Sequence, residues 1–103
     1  MTLDNASKLA SSLLAKYNCA GWSFAWSMNP ELAWCDFNAC RMEMNPAFAV
    51  VNCSDNCRDI FLHEIAHILV GFEHGHDEVW RSKARAIGSN QLTEVAEFDK
   101  KIV

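Results

Sequence analysis

The residues best suited to chemistry lie between positions 63 and 67, which read His-Glu-Ile-Ala-His. On an α-helix, side chains four residues apart lie on one face, so His63 and His67 can both point at one cation. Glu64 is next to His63 around the helix and can reach a water molecule on that cation. Zinc binds neutral imidazole nitrogens and keeps one position open for water at catalytic sites. The pattern therefore predicts a zinc-activated water with Glu64 as its general base.

The surrounding sequence predicts the helix that this pattern needs. Apolar residues recur as expected for a largely buried helix: Ile60, Phe61, Ile65, Ile68, Leu69 and Phe72. Gly71 follows at a position where helices commonly end. A buried helix is a rigid platform, so it would hold the two histidines in a fixed relation to each other.

A hydrolytic zinc site needs a third protein ligand. Val70 and Glu73 stand where the metzincin pattern requires Gly and His, so that register is excluded. The remaining candidates lie further along the chain: His74, His76, Glu94 and Glu97. A turn after Gly71 would bring His76 back toward the first two histidines, just where a second helix begins. His76 is therefore favoured over His74, and both histidines over the two glutamates.

The pattern around these residues resembles the SprT-like metallopeptidase domain, a family of the minigluzincin type. That family carries H-E-x-x-H and then a third His in an H-G-x-x-[F/W] context, and here Trp80 follows His76 by four positions. Upstream segments are also similar: Gly21-Trp22, Cys35-Asp36-Phe37 and Arg58-Asp59. The resemblance covers about residues 20–88, and it departs at Asp77, where longer members have Gly.

The resemblance implies one catalytic domain over residues 1–103, in the short phage or bacterial form. It implies a zinc metallopeptidase with His63, His67 and His76 as metal ligands and a protein or peptide as substrate. An alternative from another class is a zinc-binding interaction or regulatory module without turnover. Glu64 favours the enzyme, because a purely structural site has no use for a carboxylate at that position.

Composition and charge narrow the partners. The chain of 103 residues is half apolar, yet no segment approaches the roughly 20 apolar residues of a membrane span, and no export signal is evident. A cytoplasmic protein is expected, in the host cytoplasm if it is phage-encoded. The net charge of −4 argues against an autonomous nucleic-acid binder, although Arg81, Lys83 and Arg85 leave a DNA contact as a minor alternative. Oligomeric state is not predicted.

The expected fold class is α+β, with an N-terminal helix, a small three-stranded antiparallel sheet, the H-E-x-x-H helix and a following helix. The predicted bounds are 1–18 for the first helix, 22–28, 32–37 and 40–44 for the strands, and 77–87 for the last clear helix. The alternation of Trp22, Phe24, Trp26 and Met28 with small residues predicts a core face. Residues 47–51 fit either an edge strand or a lead-in to the helix, and residues 91–100 a weak terminal helix.

Several further roles follow from residue type. The five cysteines are expected to be reduced and to serve mostly as small buried side chains. Trp34 or Phe37 could line a groove that takes an extended peptide beside the metal helix. If it is not a ligand, His74 is the nearest candidate for stabilising an oxyanion. Acceptors for the second nitrogen of each ligand histidine could come from acidic residues nearby: Asp59, Glu73 and Asp77.

Overall fold

The computed structural model describes residues 1–29 and 31–89, and within these it shows four helices and one sheet. In chain order the elements are α1 (Leu3–Lys16), β1 (Ser23–Trp26), β2 (Ala33–Asp36), β3 (Arg41–Met44), α2 (Pro46–Val51), α3 (Ser54–Val70) and α4 (Glu78–Ala86). The predicted α+β class is confirmed. The helix predicted over residues 91–100 lies outside the described residues.

Short polar side chains set where three of the helices begin. Thr2 Oγ1 accepts a hydrogen bond from the Asn5 N–H at 3.1 Å, which caps α1. Asn45 caps α2 in the same way, and Asp77 caps α4. A capped start satisfies backbone N–H groups that have no partner within the helix. The strand alternative for residues 47–51 is therefore wrong, since Asn45 followed by a proline starts a helix there.

The sheet has the strand order β1-β3-β2. β3 runs antiparallel to β2, but it runs parallel to β1. The predicted all-antiparallel sheet is therefore wrong for β1, and the sheet is mixed. The central strand also carries the two methionines that are most completely buried, Met42 and Met44, both 0% exposed. A central strand has a neighbour on both edges and loses most of its contact with water. The apolar side chains of β3 are therefore more deeply buried than those of β1.

One face of the sheet packs on α1 and α3 to form the main core. Phe24 of β1 meets Phe61 of α3 edge to face, with ring centroids 5.4 Å apart. Trp22 and Trp26 also pack against this core, as the alternation predicts. Met28 does not, because β1 ends at Trp26 and the Met28 side chain is 83% exposed.

The helices of the described residues include none that is both long enough and apolar enough to cross a membrane.

Candidate metal centre

α3 carries the H-E-x-x-H residues through the middle of the molecule. All residues from 59 to 67 are buried, so this part of the helix is covered on every side. His63 is 6% exposed, Glu64 1% and His67 9%. Polar side chains at such depth are fixed by their surroundings, which is what a preorganised metal site requires.

The turn after α3 reverses the chain. Gly71 ends the helix with φ 101°, and its N–H donates a hydrogen bond to the His67 carbonyl oxygen at 2.9 Å. A side chain at this position would be strained by the positive φ, and its Cβ would come within 2.7 Å of Glu73 Oε1. Glycine therefore permits the reversal, and α4 begins seven residues later at Glu78.

The reversal places His76 against the two histidines of α3. One ring nitrogen from each of His63, His67 and His76 lies within 4.8 Å of the others. The Nε2 atoms of His63 and His76 are 3.1 Å apart. Two nitrogens bound at about 2.0–2.1 Å to one tetrahedral zinc lie roughly 3.3 Å apart, so the spacing suits two ligands of one ion. His76 is exposed, which opens the group to solvent on one side.

The indole ring of Trp80 in α4 packs against all three imidazole rings. Its ring centroid lies 4.6 Å from that of His63, 5.0 Å from His67 and 4.5 Å from His76. The ring stacks on His67 at an interplanar angle of 21°. Its Nε1–H donates to the His63 carbonyl oxygen at 3.2 Å, which ties α4 to α3 at this point. Trp80 is 2% exposed, so it forms a rigid apolar wall behind the histidines.

The Glu64 carboxyl lies beside the histidines with no cationic side chain paired to it in the described part of the chain. Its Oε2 is 3.8 Å from His63 Nε2 and accepts no hydrogen bond from any described residue. Burial raises the pKa of this carboxyl to about 8, and a hydrogen bond from Cys35 opposes that rise. A carboxylate with so little solvation is a stronger base than one in water.

His74 has a different environment from His76. Its Nδ1 lies 2.8 Å from Asp77 Oδ2, and the same aspartate caps α4 through Oδ1. The hydrogen bond from the Trp80 N–H is the largest cause of the lowered pKa of Asp77, and the hydrogen bond with His74 adds to it. Within residues 1–29 and 31–89, His74 is therefore placed outside the three-histidine group. The other two candidates for the third ligand, Glu94 and Glu97, lie outside the described residues.

The contact that sequence reasoning missed is between Cys35 and Glu64. The Cys35 Sγ lies 3.4 Å from Glu64 Oε1 and 3.3 Å from the Glu64 carbonyl oxygen. The cysteines were expected to act mostly as small buried side chains, and all five are free thiols. No local signal could have found this pair, because 29 positions separate the two residues and only the packing of β2 on α3 joins them.

The two aromatic residues proposed for a substrate groove differ in their contacts. Trp34 donates its Nε1–H to Glu43 Oε1 at 2.9 Å. Phe37 packs against Trp22 and Phe72, with ring centroids 5.1 and 6.1 Å apart. Phe72 directly follows the Gly71 turn and is 74% exposed, so Phe37 belongs to an aromatic row that reaches the surface near the metal helix. The groove itself stays a prediction.

The basic residues of α4 are partly engaged on their own helix. Arg81 Nε lies 3.3 Å from Glu78 Oε2, and an Arg85 terminal nitrogen lies 3.0 Å from Glu78 Oε1. All these side chains are at least half exposed. Such pairs are typical of a solvated helix face. A DNA contact by this cluster stays a prediction.

Comparison with known proteins gives one match. The sequence model of the SprT-like family matches residues 5–101. No curated protein and no solved structure matches the chain.

Proposed function

The chain belongs to the SprT-like family, and on that premise we propose that it is a zinc-dependent metallopeptidase that hydrolyses peptide bonds. The observation that carries this proposal is the juxtaposition of three imidazoles with a buried carboxyl. Donor atoms of His63, His67 and His76 lie within 4.8 Å of one another, and Glu64 Oε2 is 3.8 Å from the first of them. A set of three neutral nitrogen donors with an adjacent base is the arrangement of a hydrolytic metal site.

The residues present fit a zinc ion. Imidazole nitrogen is a preferred ligand of zinc, whereas magnesium and calcium prefer oxygen. His63, His67 and His76 would hold the ion, with the open side of the group at the exposed His76. The chemistry that zinc supplies at such a site is Lewis acidity, which lowers the pKa of a water molecule and polarises a carbonyl.

Glu64 would move the protons. As the water attacks the peptide carbonyl carbon, Glu64 Oε2 takes one of its protons, and the carboxyl then gives that proton to the leaving amine nitrogen. Burial favours this role because an ionised carboxylate with little solvation binds a proton strongly, and the pKa of Glu64 is raised to about 8. The charge of a bound zinc ion would lower the pKa of Glu64 again, toward the range where the carboxyl is ionised at neutral pH.

The sheet offers a place for an extended substrate. β2 packs on α3 and pairs with β3, and its other edge has no strand partner within residues 1–29 and 31–89. An edge strand can bind a peptide as an additional strand through backbone hydrogen bonds, with little dependence on side-chain sequence. Cys35 of this strand contacts Glu64 directly, so a peptide on the open edge would pass close to the proposed base. Proteins or peptides with an extended segment are therefore the proposed substrates.

The test is a peptidase assay on zinc-loaded protein with Glu64→Gln. Glutamine keeps the size of the side chain but cannot act as a base, so kcat should fall by about 10²–10⁴-fold. Zinc content, measured by mass spectrometry, should stay at one ion per chain. The matched control is Glu43→Gln, which removes another buried carboxylate that lies in the sheet and should leave kcat within about two-fold of the wild type.

Two results would contradict the proposal. Equal cleavage by the wild type and Glu64→Gln would remove this carboxylate from the mechanism. Zinc binding without cleavage of any of a varied set of unfolded proteins would favour a zinc-binding interaction module instead, in which the metal only stabilises the fold.

A further inference from the structure

Cys35 lies on the face of β2 that is turned toward α3. Its neighbours Trp34 and Asp36 contact β3 side chains on the other face, where Trp34 donates to Glu43 and Asp36 pairs with Arg41 at 3.7 Å. Successive side chains of a strand point to opposite faces, so Cys35 points away from this polar network. The alternation along β2 therefore aims one thiol at the helix that carries the proposed catalytic residues.

The thiol makes contact with the Glu64 carboxyl itself. Sγ lies 3.4 Å from Glu64 Oε1, a normal distance for a hydrogen bond from sulfur. Burial and the nearby carboxyl both raise the pKa of the Cys35 thiol well above its usual value, so the thiol keeps its proton and is a donor. The same sulfur lies 3.3 Å from the Glu64 carbonyl oxygen, which offers the proton a second acceptor.

The thiol contact gives the two carboxyl oxygens of Glu64 different surroundings. Oε1 faces Cys35, while Oε2 faces His63 Nε2 at 3.8 Å and accepts no hydrogen bond from any described residue. A quarter turn of the carboxyl group about its last bond would move both oxygens out of these positions and break the thiol contact. The thiol thus selects the orientation in which one oxygen is left for the attacking water.

We propose that Cys35 is a positioning residue that holds Glu64 in the orientation for proton transfer through a hydrogen bond from Sγ to Oε1. The inference rests on the proposed peptidase function, because it assigns Cys35 a role in that reaction. The Cys35 side chain faces α3 and acts through Glu64. The competing explanation is that Cys35 only fills space between β2 and α3.

Two substitutions separate these explanations because they should rank in opposite orders. Cys35→Ser keeps a donor and places a hydroxyl near Oε1, whereas Cys35→Ala removes the donor and leaves Oε1 buried without it. If Cys35 positions Glu64, the serine variant is the more active one. If Cys35 only fills apolar space, alanine is the better replacement, because a buried hydroxyl is costly where an apolar group is wanted.

The expected result is a change in kcat alone. Cys35→Ala removes a hydrogen bond to a charged group. The lost free energy should lower kcat of the zinc-loaded variant about 10-fold. Cys35→Ser should remain within about three-fold of the wild type. KM and the zinc Kd should change by less than about two-fold in both, since neither substitution alters a proposed metal ligand or the backbone groups of β2.

Cys57 provides the matched control. It is fully buried and lies on α3, the helix that carries Glu64, but it precedes the H-E-x-x-H residues by more than one turn. Cys57→Ala and Cys57→Ser should both lower stability, because each changes a packed site, but neither should change kcat by more than about two-fold. Loss of kcat in these variants equal to that in Cys35→Ala would overturn the proposal, since the effect would then come from loosened packing.

A second readout does not need turnover. In zinc-loaded protein without substrate, where the charge of the ion favours the ionised carboxylate, the S–H stretching band of Cys35 is assigned by its disappearance in Cys35→Ser. Glu64→Gln replaces the carboxylate acceptor by a weaker amide oxygen, so this band should move to higher frequency. An unmoved band would mean that the thiol donates to the carbonyl oxygen instead, and the proposal would fall.

The failures of the two proposals can be told apart. A wild-type protein that binds zinc but cleaves nothing overturns both the peptidase function and the role of Cys35. An active wild type in which Cys35→Ala is as fast as Cys35→Ser overturns the positioning role alone.

Discussion

Glu64 and Glu43 are both buried, but their oxygens have different partners. Glu43 is 5% exposed, and it accepts a hydrogen bond from Trp34 Nε1 at 2.9 Å and pairs with Arg41 Nε at 2.6 Å. Glu64 is 1% exposed, and within the described chain it has one thiol donor on Oε1 and no hydrogen bond on Oε2. The two carboxylates are therefore buried to a similar extent, but hydrogen bonds and ion pairs offset the cost of burial much more fully at Glu43 than at Glu64.

The partners of its oxygens therefore distinguish a structural carboxylate from a functional one. Burial penalises charge in both cases, but at Glu43 a cation and a hydrogen-bond donor offset the penalty. At Glu64 the penalty remains, which leaves a basic group with one oxygen available beside three imidazoles. Uncompensated titratable groups of this kind concentrate at functional sites, because folding alone gives no reason to keep them.

The pH dependence of stability in metal-free protein tests most directly whether the burial of Glu64 is uncompensated. The folded-state pKa of Glu64, about 8, is higher than the ordinary value of 4.5, so between these pH values the folded chain binds more protons than the unfolded one. Stability should therefore fall as pH rises from 4.5 through 8. Glu64→Gln should remove this part of the fall and be more stable than the wild type at pH 9, by on the order of 5 kcal/mol.

Urea unfolding with a chelator present, at pH 5 and at pH 9, measures this effect. The difference between the wild type and Glu64→Gln isolates Glu64 from the histidines, which both proteins share. A difference that does not grow with pH would show that the Glu64 carboxyl is compensated after all, and the contrast with Glu43 would fail.

The same contrast between engaged and available groups applies to the two histidines after the Gly71 turn. His74 is paired with Asp77, whereas His76 lies with its Nε2 3.1 Å from that of His63. His76→Ala should weaken zinc binding by at least about 100-fold. Loss of a residue that only hydrogen-bonds to a metal ligand already lowers metal affinity by about 10–100-fold, and loss of a ligand should cost more. His74→Ala should change the zinc Kd by less than about ten-fold. Competition with a chromogenic chelator measures both, and the reverse order would move the third ligand to His74.

The smallest effect is expected at Glu43 itself. Glutamine there can accept from Arg41 or from Trp34 but loses the charge, so Glu43→Gln should lower the free energy of unfolding by about 1–2 kcal/mol at pH 7. The exposed Glu78 is the control, since its pairs with Arg81 and Arg85 lie in solvent and Glu78→Gln should lower the free energy of unfolding by much less than Glu43→Gln does. Equal losses at both positions would mean that the pair in the sheet behaves like a surface pair.

The centre of the site could be predicted because its geometry is local. Helical spacing alone places His63 and His67 on one face, and the Gly71 turn is short enough that His76 could be expected to return to them. The sheet could not be predicted in the same way. Three short strands with turns between them suggest hairpins, but β3 pairs with β1 in parallel, across a separation that no local pattern records.

The residue types, their helical spacing and the points where helices start and stop can all be read from the amino-acid chain, because they depend on contacts within a few positions. The Arg41 partner of Glu43 lies two positions away on the same strand, so that pair is local too. The thiol partner of Glu64 is not, because Cys35 is 29 positions away and meets the carboxyl only where β2 packs on α3. That contact exists only in the closed core, and so the tertiary structure was needed to find it.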